Sequence, residues 1–177
     1  AWLALAPGVA ALALLLLLPR WNRRALTSGC GVYLAPLWPA DARLVFFRED
    51  FASGFVTVLS APSPDRSAPV KILIQNGKFD ADNANEMPAQ IGFGLVAALH
   101  APAAGRALVI GCGSGQTASV IARLGFRHID IAELSPAHLA AARAEFSDIN
   151  AHVLGRANVA VHVEDGRNFL LRSPARS

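Results

Sequence analysis

The chain has 177 residues, room for one ordinary domain or for a small domain beside a membrane segment. It is 53% hydrophobic and only 16% charged, below the usual quarter, and its net charge of +3 includes no basic run interleaved with aromatics. This balance argues against a nucleic-acid partner. Two distant cysteines, Cys30 and Cys112, and five scattered histidines argue against a disulfide framework or a metal site, so no metal is expected.

Residues Trp2 to Leu18 read WLALAPGVAALALLLLL, without a charge. Roughly 20 such residues span a bilayer as a helix, and Pro7 and Gly8 are tolerated in a membrane helix. A signal peptide would carry a basic start and an Ala-x-Ala exit, and neither is present. The expectation is therefore a transmembrane helix over residues 1–19. Arg20, Arg23 and Arg24 follow it directly and, by the positive-inside rule, put the rest of the chain in the cytoplasm.

Residues 20–42 are punctuated by Gly and Pro and read as a loose connector. Trp21, Tyr33 and Trp38 within it fit either a membrane interface or packing beneath the next domain. Residues 43–90 read as a small β domain. Leu44–Phe47, Phe55–Leu59 and Val70–Gln75 are β-like runs, and Asn76-Gly77 closes the third as a hairpin turn, with Lys78 to Asp80 starting the return strand. Between Asp80 and Gln90 lies DADNANEMPAQ, a polar loop that contains Asp80, Glu86 and Gln90 and precedes a helix over residues 91–100.

Residues 91–177 read as part of a Rossmann-like α/β domain. Ala107–Ile110 is a short apolar run suited to a buried parallel strand. Gly111, Gly113 and Gly115 form a tight G-x-G-x-G turn around Cys112 and Ser114. A helix over residues 117–124 follows, and its N-terminal N–H groups face a ligand. The dinucleotide fingerprint is the looser G-x-G-x-x-G, so the spacing points to a nucleoside bound without a pyrophosphate, as in S-adenosylmethionine-dependent transferases. Glu133 ends the next strand, 18 residues past Gly115 and close to the ~20 expected of a carboxylate that binds ribose hydroxyls. Ser135-Pro136 then opens a helix, and Val159–Val163 forms a third strand. Asp165 and Gly166 follow it, at the strand end where open α/β sheets bind ligands; Asp165 reads either as an adenine contact or as a solvated turn.

Together NGKFDADNANEMPAQ, LVIGCGSGQTA, IDIAELSP and EDGRNFLL resemble, in order and spacing, the spermidine synthase (polyamine aminopropyltransferase) family over about residues 44–171. The connector WNRRALTSG is similar to the bacterial branch with membrane helices fused ahead of the synthase-like domain. The resemblance implies aminopropyl transfer from decarboxylated S-adenosylmethionine to a polyamine such as putrescine, in a protein of the bacterial inner membrane whose assembly, a homodimer among the options, is open. It implies a cofactor site of Gly111, Gly113, Ser114, Gly115, Glu133, Asp165 and Gly166, and a substrate side of Asp80, Glu86 and Gln90. Three departures stand out. Ser114 replaces an aspartate of the family's glycine motif, Asp80 replaces a glutamine, and Ala89 replaces a tyrosine. The family's catalytic aspartate follows a fourth strand, expected beyond Ser177, which makes the chain a fragment expected to be inactive by itself. Two other readings follow from Ser114: a methyltransferase using S-adenosylmethionine itself, and a domain that binds a nucleoside or polyamine without turnover.

Overall fold

The computed structural model describes residues 2–17, 21–51, 53–101 and 105–172. The β-like runs form one antiparallel meander, β1 (Arg43–Asp50), β2 (Gly54–Ala61), β3 (Val70–Gln75) and β4 (Lys78–Asp82), paired in that order. Asn76 and Gly77, at φ 51° and 79°, make the two-residue turn that sets Gln75 opposite Lys78. Positive φ at both positions matches the right-handed twist of the flanking strands. Side chains alternate across each strand, so the sheet buries two faces. Val56, Val58 and Leu73 pack with Ala137, Ala141 and Phe146, whereas Leu59, Ile72 and Ile74 pack with Ala42 and Trp38.

The connector is more ordered than its Gly and Pro content implies. It contains α2 (Arg23–Thr27) and α3 (Cys30–Tyr33). The Trp38 indole N–H donates to the Thr27 carbonyl at 2.9 Å, and its ring lies 6.2 Å from that of Phe79. The Phe79 N–H donates to the Tyr33 hydroxyl at 3.3 Å. Tyr33 and Trp38 are thus held against the β-sheet, while Trp21 is exposed.

The apolar run forms α1 (Trp2–Leu17), and this corrects the membrane expectation. Sixteen residues at 1.5 Å each make a helix of about 24 Å, short of the ~30 Å hydrocarbon core. Among the described residues no helix is long and apolar enough to cross a membrane. The transmembrane helix over residues 1–19, and the inner-membrane placement built on it, are therefore not supported. Leu18, Pro19, Arg20 and Arg176 lie outside the described residues.

The second half of the chain begins with α4 (Met87–Leu99), which starts four residues earlier than the composition of the polar stretch predicts. Asp82 is the reason. Its carboxylate accepts the N–H groups of Ala84 (2.8 Å) and Glu86 (2.9 Å), turning the chain directly from β4 into the helix. A parallel sheet follows, β5 (Arg106–Ile110), β6 (His128–Glu133) and β7 (Val159–Val163) in that order. Its connections are α5 (Gln116–Arg123), then α6 (Pro136–Glu145), α7 (Ser147–Asn150) and a 3-10 turn (Val153–Gly155); α8 (Gly166–Arg172) comes last. Val109, Ile129 and Ile131 on one sheet face pack under Ile121, Leu139 and Val153. The fold is α/β and Rossmann-like. Helix α6 belongs to both cores, so the β-meander is seated directly on the parallel-sheet unit.

Candidate functional site

A cleft of about 630 Å³ opens at the C-terminal end of the parallel strands. Its wall includes Gly111, Gly113, Ser114, Glu133, Asp80 and Gln90, so six of the sequence-predicted residues meet there. The two sheets bring them together: β4 carries Asp80, α4 carries Gln90, and β6 carries Glu133.

The turn after β5 is fixed from three sides. Gly111 donates its N–H to the Ala132 carbonyl at 2.9 Å, and Gly115 donates to Cys112 at 2.8 Å. Gly115 sits at φ 82°, and a Cβ there would meet the Asn150 side-chain nitrogen at 3.0 Å, so no larger residue fits the turn. That nitrogen of the buried Asn150 donates to the carbonyls of Ser114 and Ala142, both at 2.9 Å, and ties the turn to α6. Ser114 is 2% exposed and directs its hydroxyl to Gln90 Oε1 at 2.5 Å, while Thr117 donates to the Gln90 carbonyl at 3.0 Å. The helix α4 is thereby latched to the glycine turn.

Glu133 is buried, and each carboxylate oxygen accepts one backbone N–H. Oε2 takes that of Cys112 at 2.7 Å and Oε1 that of Ser135 at 2.8 Å. Each oxygen keeps a second lone pair for a ligand. Beside it the thiol of Cys112 is pushed up to about 12, first by burial and then by the Glu133 charge, which leaves it an inert space-filling group.

Sequence reasoning missed Asp50, Ser53 and His138, which organise this corner around the expected cap Ser135. Ser135 caps α6 by accepting the His138 N–H at 3.2 Å, and its hydroxyl donates to Asp50 Oδ2 at 2.5 Å. Asp50 also accepts from the Ser53 N–H and hydroxyl, both at 2.6 Å. Burial works against its charge, but the bonds from Ser135, Ser53 and the Ala137 N–H prevail and hold its carboxyl at about 2. His138, 4% exposed, stands in the cleft wall with Nε2 3.4 Å from Asp80 Oδ2 and Nδ1 4.0 Å from Glu133 Oε1. Burial alone would depress its imidazole, but Asp80, with Glu133 and Asp50 behind it, raises it above the ordinary value. The predicted Ser135-Pro136 helix start was the signal for His138, since it puts that residue in the first turn beside the end of β6.

The other predicted residues lie apart from the cleft. Gly115 supports the turn from behind, and Glu86 is exposed at the start of α4. Asp165 is exposed and accepts the Asn168 N–H at 3.0 Å as the cap of α8. Gly166 is buried against Ile110, whose Cγ2 a Cβ would meet at 2.4 Å. A second polar cluster avoids the cleft altogether: Asp130 accepts from His162, His128 and Arg106 at 2.9, 3.1 and 2.9 Å. Burial opposes the Asp130 charge, but these three donors outweigh it and lower its carboxyl. Among the described residues no group of three or more His, Cys, Asp or Glu side chains is placed to hold a metal ion.

A parallel α/β sheet beneath an antiparallel meander is the fold that the chain shares with solved spermidine synthases. The chain superposes on the crystal structure of a spermidine synthase in complex with the transition-state analogue AdoDATO, with TM-score 0.63 and 14% identity over 72% of its own length. It matches spermidine synthase from Thermotoga maritima with the same TM-score, identity and coverage. It spans 43% and 42% of those two synthases, so the likeness is one of fold over their corresponding part. No protein-family profile matches the chain, and no curated protein matches it by sequence.

Proposed function

We propose that the chain carries the nucleoside-binding part of an aminopropyltransferase that uses decarboxylated S-adenosylmethionine and a polyamine such as putrescine. The observation that carries this reading is the meeting of Glu133, the Gly111–Ser114 turn, Asp80 and Gln90 around one cleft, in a fold shared with spermidine synthases. Glu133 accepts hydrogen bonds from ribose hydroxyls with its remaining lone pairs, and the backbone of the turn lies along the nucleoside. Asp165 caps α8 in this reading, and Gly166 lets that helix approach Ile110.

In the reaction an amine nitrogen attacks the carbon attached to the sulfonium sulfur. A new N–C bond forms as the C–S bond breaks, sulfur keeps the electron pair and leaves as a neutral thioether, and the nitrogen gives up a proton. The nitrogen must be neutral to attack, so a carboxylate base assists it. No anion develops on the leaving group, so alignment of the two substrates supplies much of the rate. The acidic cleft suits this task, since Asp80 presents a partly exposed carboxylate to a diammonium substrate.

Ser114 favours a second reading. A neutral hydroxyl bonded to Gln90 stands in the glycine turn, so no carboxylate there repels the one carried by intact S-adenosylmethionine. Titration calorimetry with both forms of the nucleoside separates the two. The aminopropyltransferase reading expects the decarboxylated form to bind at least about tenfold tighter, a difference of ~1.4 kcal/mol. Tighter binding of the intact form would replace it with the methyltransferase reading.

A further inference from the structure

The imidazole of His138 is the cleft's most conspicuous unused group. The residue is 4% exposed, it lines the cavity, and neither ring nitrogen has a hydrogen-bond partner. Nδ1 stands 4.0 Å from Glu133 Oε1, too far for a direct bond. One oxygen atom can bridge that gap with legs of about 2.8 Å, provided it accepts from the ring and donates to the carboxylate. With Nδ1 protonated, as the neighbouring Asp80 and Glu133 charges favour, an ammonium does not fit, because it cannot accept from an N–H. A carboxylate does not fit either, because Glu133 and Asp80 would repel it. A hydroxyl, donor and acceptor at a single atom, meets both demands.

Resting on the nucleoside reading above, we propose that His138 is a ligand-contacting residue that completes a vicinal-diol site. One ribose hydroxyl accepts the Nδ1–H of His138 and donates to Glu133, while Nε2–H faces Asp80. Both ring nitrogens must then carry protons, and the groups that hold them there are Asp80, Glu133 and, behind Ser135, Asp50. Asp80 in β4 thus acts as a positioning residue, through the imidazole.

The test is equilibrium binding of methylthioadenosine, the nucleoside left once the aminopropyl group has gone, beside its dideoxyribose counterpart. Wild-type chain is expected to prefer the ribose form by about tenfold or more, as for one hydrogen bond to a charged group. His138→Leu is expected to cut that preference by about threefold or more, leaving the part that Glu133 supplies, while binding the dideoxy form as before, and His138→Gln to recover part of the loss. A His138→Leu variant that keeps the wild-type preference overturns the proposal and leaves the nucleoside reading intact. Wild-type chain that binds neither compound removes both. Should the leucine variant fail to fold, the wild-type preference measured from about pH 5.5 to 8.5 decides. It is expected to shrink as the imidazole loses its second proton, and a flat profile overturns the proposal.

Discussion

Two neighbouring parallel strands lead into the same kind of sequence, a carboxylate followed within three residues by a helix, yet the two carboxylates are held differently. Glu133 closes β6, is 7% exposed, and binds the backbone N–H groups of Cys112 and Ser135 while facing the cleft. Asp165, just past β7, is exposed and binds one N–H of its own helix. The difference comes from what surrounds each strand end. The end of β6 lies between the glycine turn and α6, and α6 is anchored to the β-meander through Ser135 and Asp50. Among the described residues, the end of β7 pairs with β6 through the Glu164 N–H and the Glu133 carbonyl and leads directly into the short α8. A strand-end carboxylate is held by backbone N–H groups of other elements where they wall it in, and caps its own helix where it is exposed.

The sharpest way to break the contrast is to remove Glu133. Glu133→Ala leaves two buried N–H donors without an acceptor, at ~1–3 kcal/mol each. A loss of about 3 kcal/mol in denaturant unfolding is expected, with no measurable nucleoside binding. An unchanged unfolding midpoint would mean that Glu133 is not the bridge described here. Acid probes the anchor next to it. Asp50 is held at about 2, below its ordinary 3.8, so its contribution is complete above pH 4 and is lost as pH falls through the folded-state value. The expected loss between pH 4 and 2 is no more than about 2 kcal/mol once solvent screening is allowed for, and Asp50→Asn should flatten that part of the stability profile. Gly166→Ala tests the β7 side. Its new methyl would meet Ile110 Cγ2, and a cost of about 1–2 kcal/mol is expected. Ile110→Ala in the same chain should recover most of it, a coupling that a double-mutant cycle measures.

The fold was legible wherever the signal was local. Period-two alternation and Asn76-Gly77 gave the meander, and β3 spans the expected Val70–Gln75, although both of its faces are buried. Ser135-Pro136 gave the start of α6. The N-terminal run misled because composition registers apolarity better than helix length, and α1 is 16 residues long. The polar stretch from Asp80 to Gln90 reads as a loop, but Asp82 folds it into a tight turn between β4 and α4, which no count of polar residues expresses. At the site, the glycine turn and Glu133 were readable because they lie within one βαβ unit. Asp50, Ser53 and Asn150 were not, because their partners Ser135 and Ser114 lie 85, 82 and 36 residues away and only the packing of α6 brings them close.

Asp165 gives the mildest perturbation and the cleanest reading of the contrast. The resemblance to spermidine synthases implies an adenine contact for it, whereas its hydrogen bond to Asn168 implies a cap. Asp165→Ala removes the cap oxygen and is expected to cost about 1 kcal/mol, confined to α8, whose amides should exchange faster with solvent. Asp165→Asn keeps an oxygen in the same place, and Asn caps a helix as well as Asp does, so stability should return to wild type. The asparagine variant therefore isolates the charge from the cap. If its affinity for methylthioadenosine stays within about twofold of wild type, a few tenths of a kcal/mol, the carboxylate serves α8 alone. A tenfold loss would put Asp165 on the ligand, and the two strand ends would then share one function despite their unequal burial.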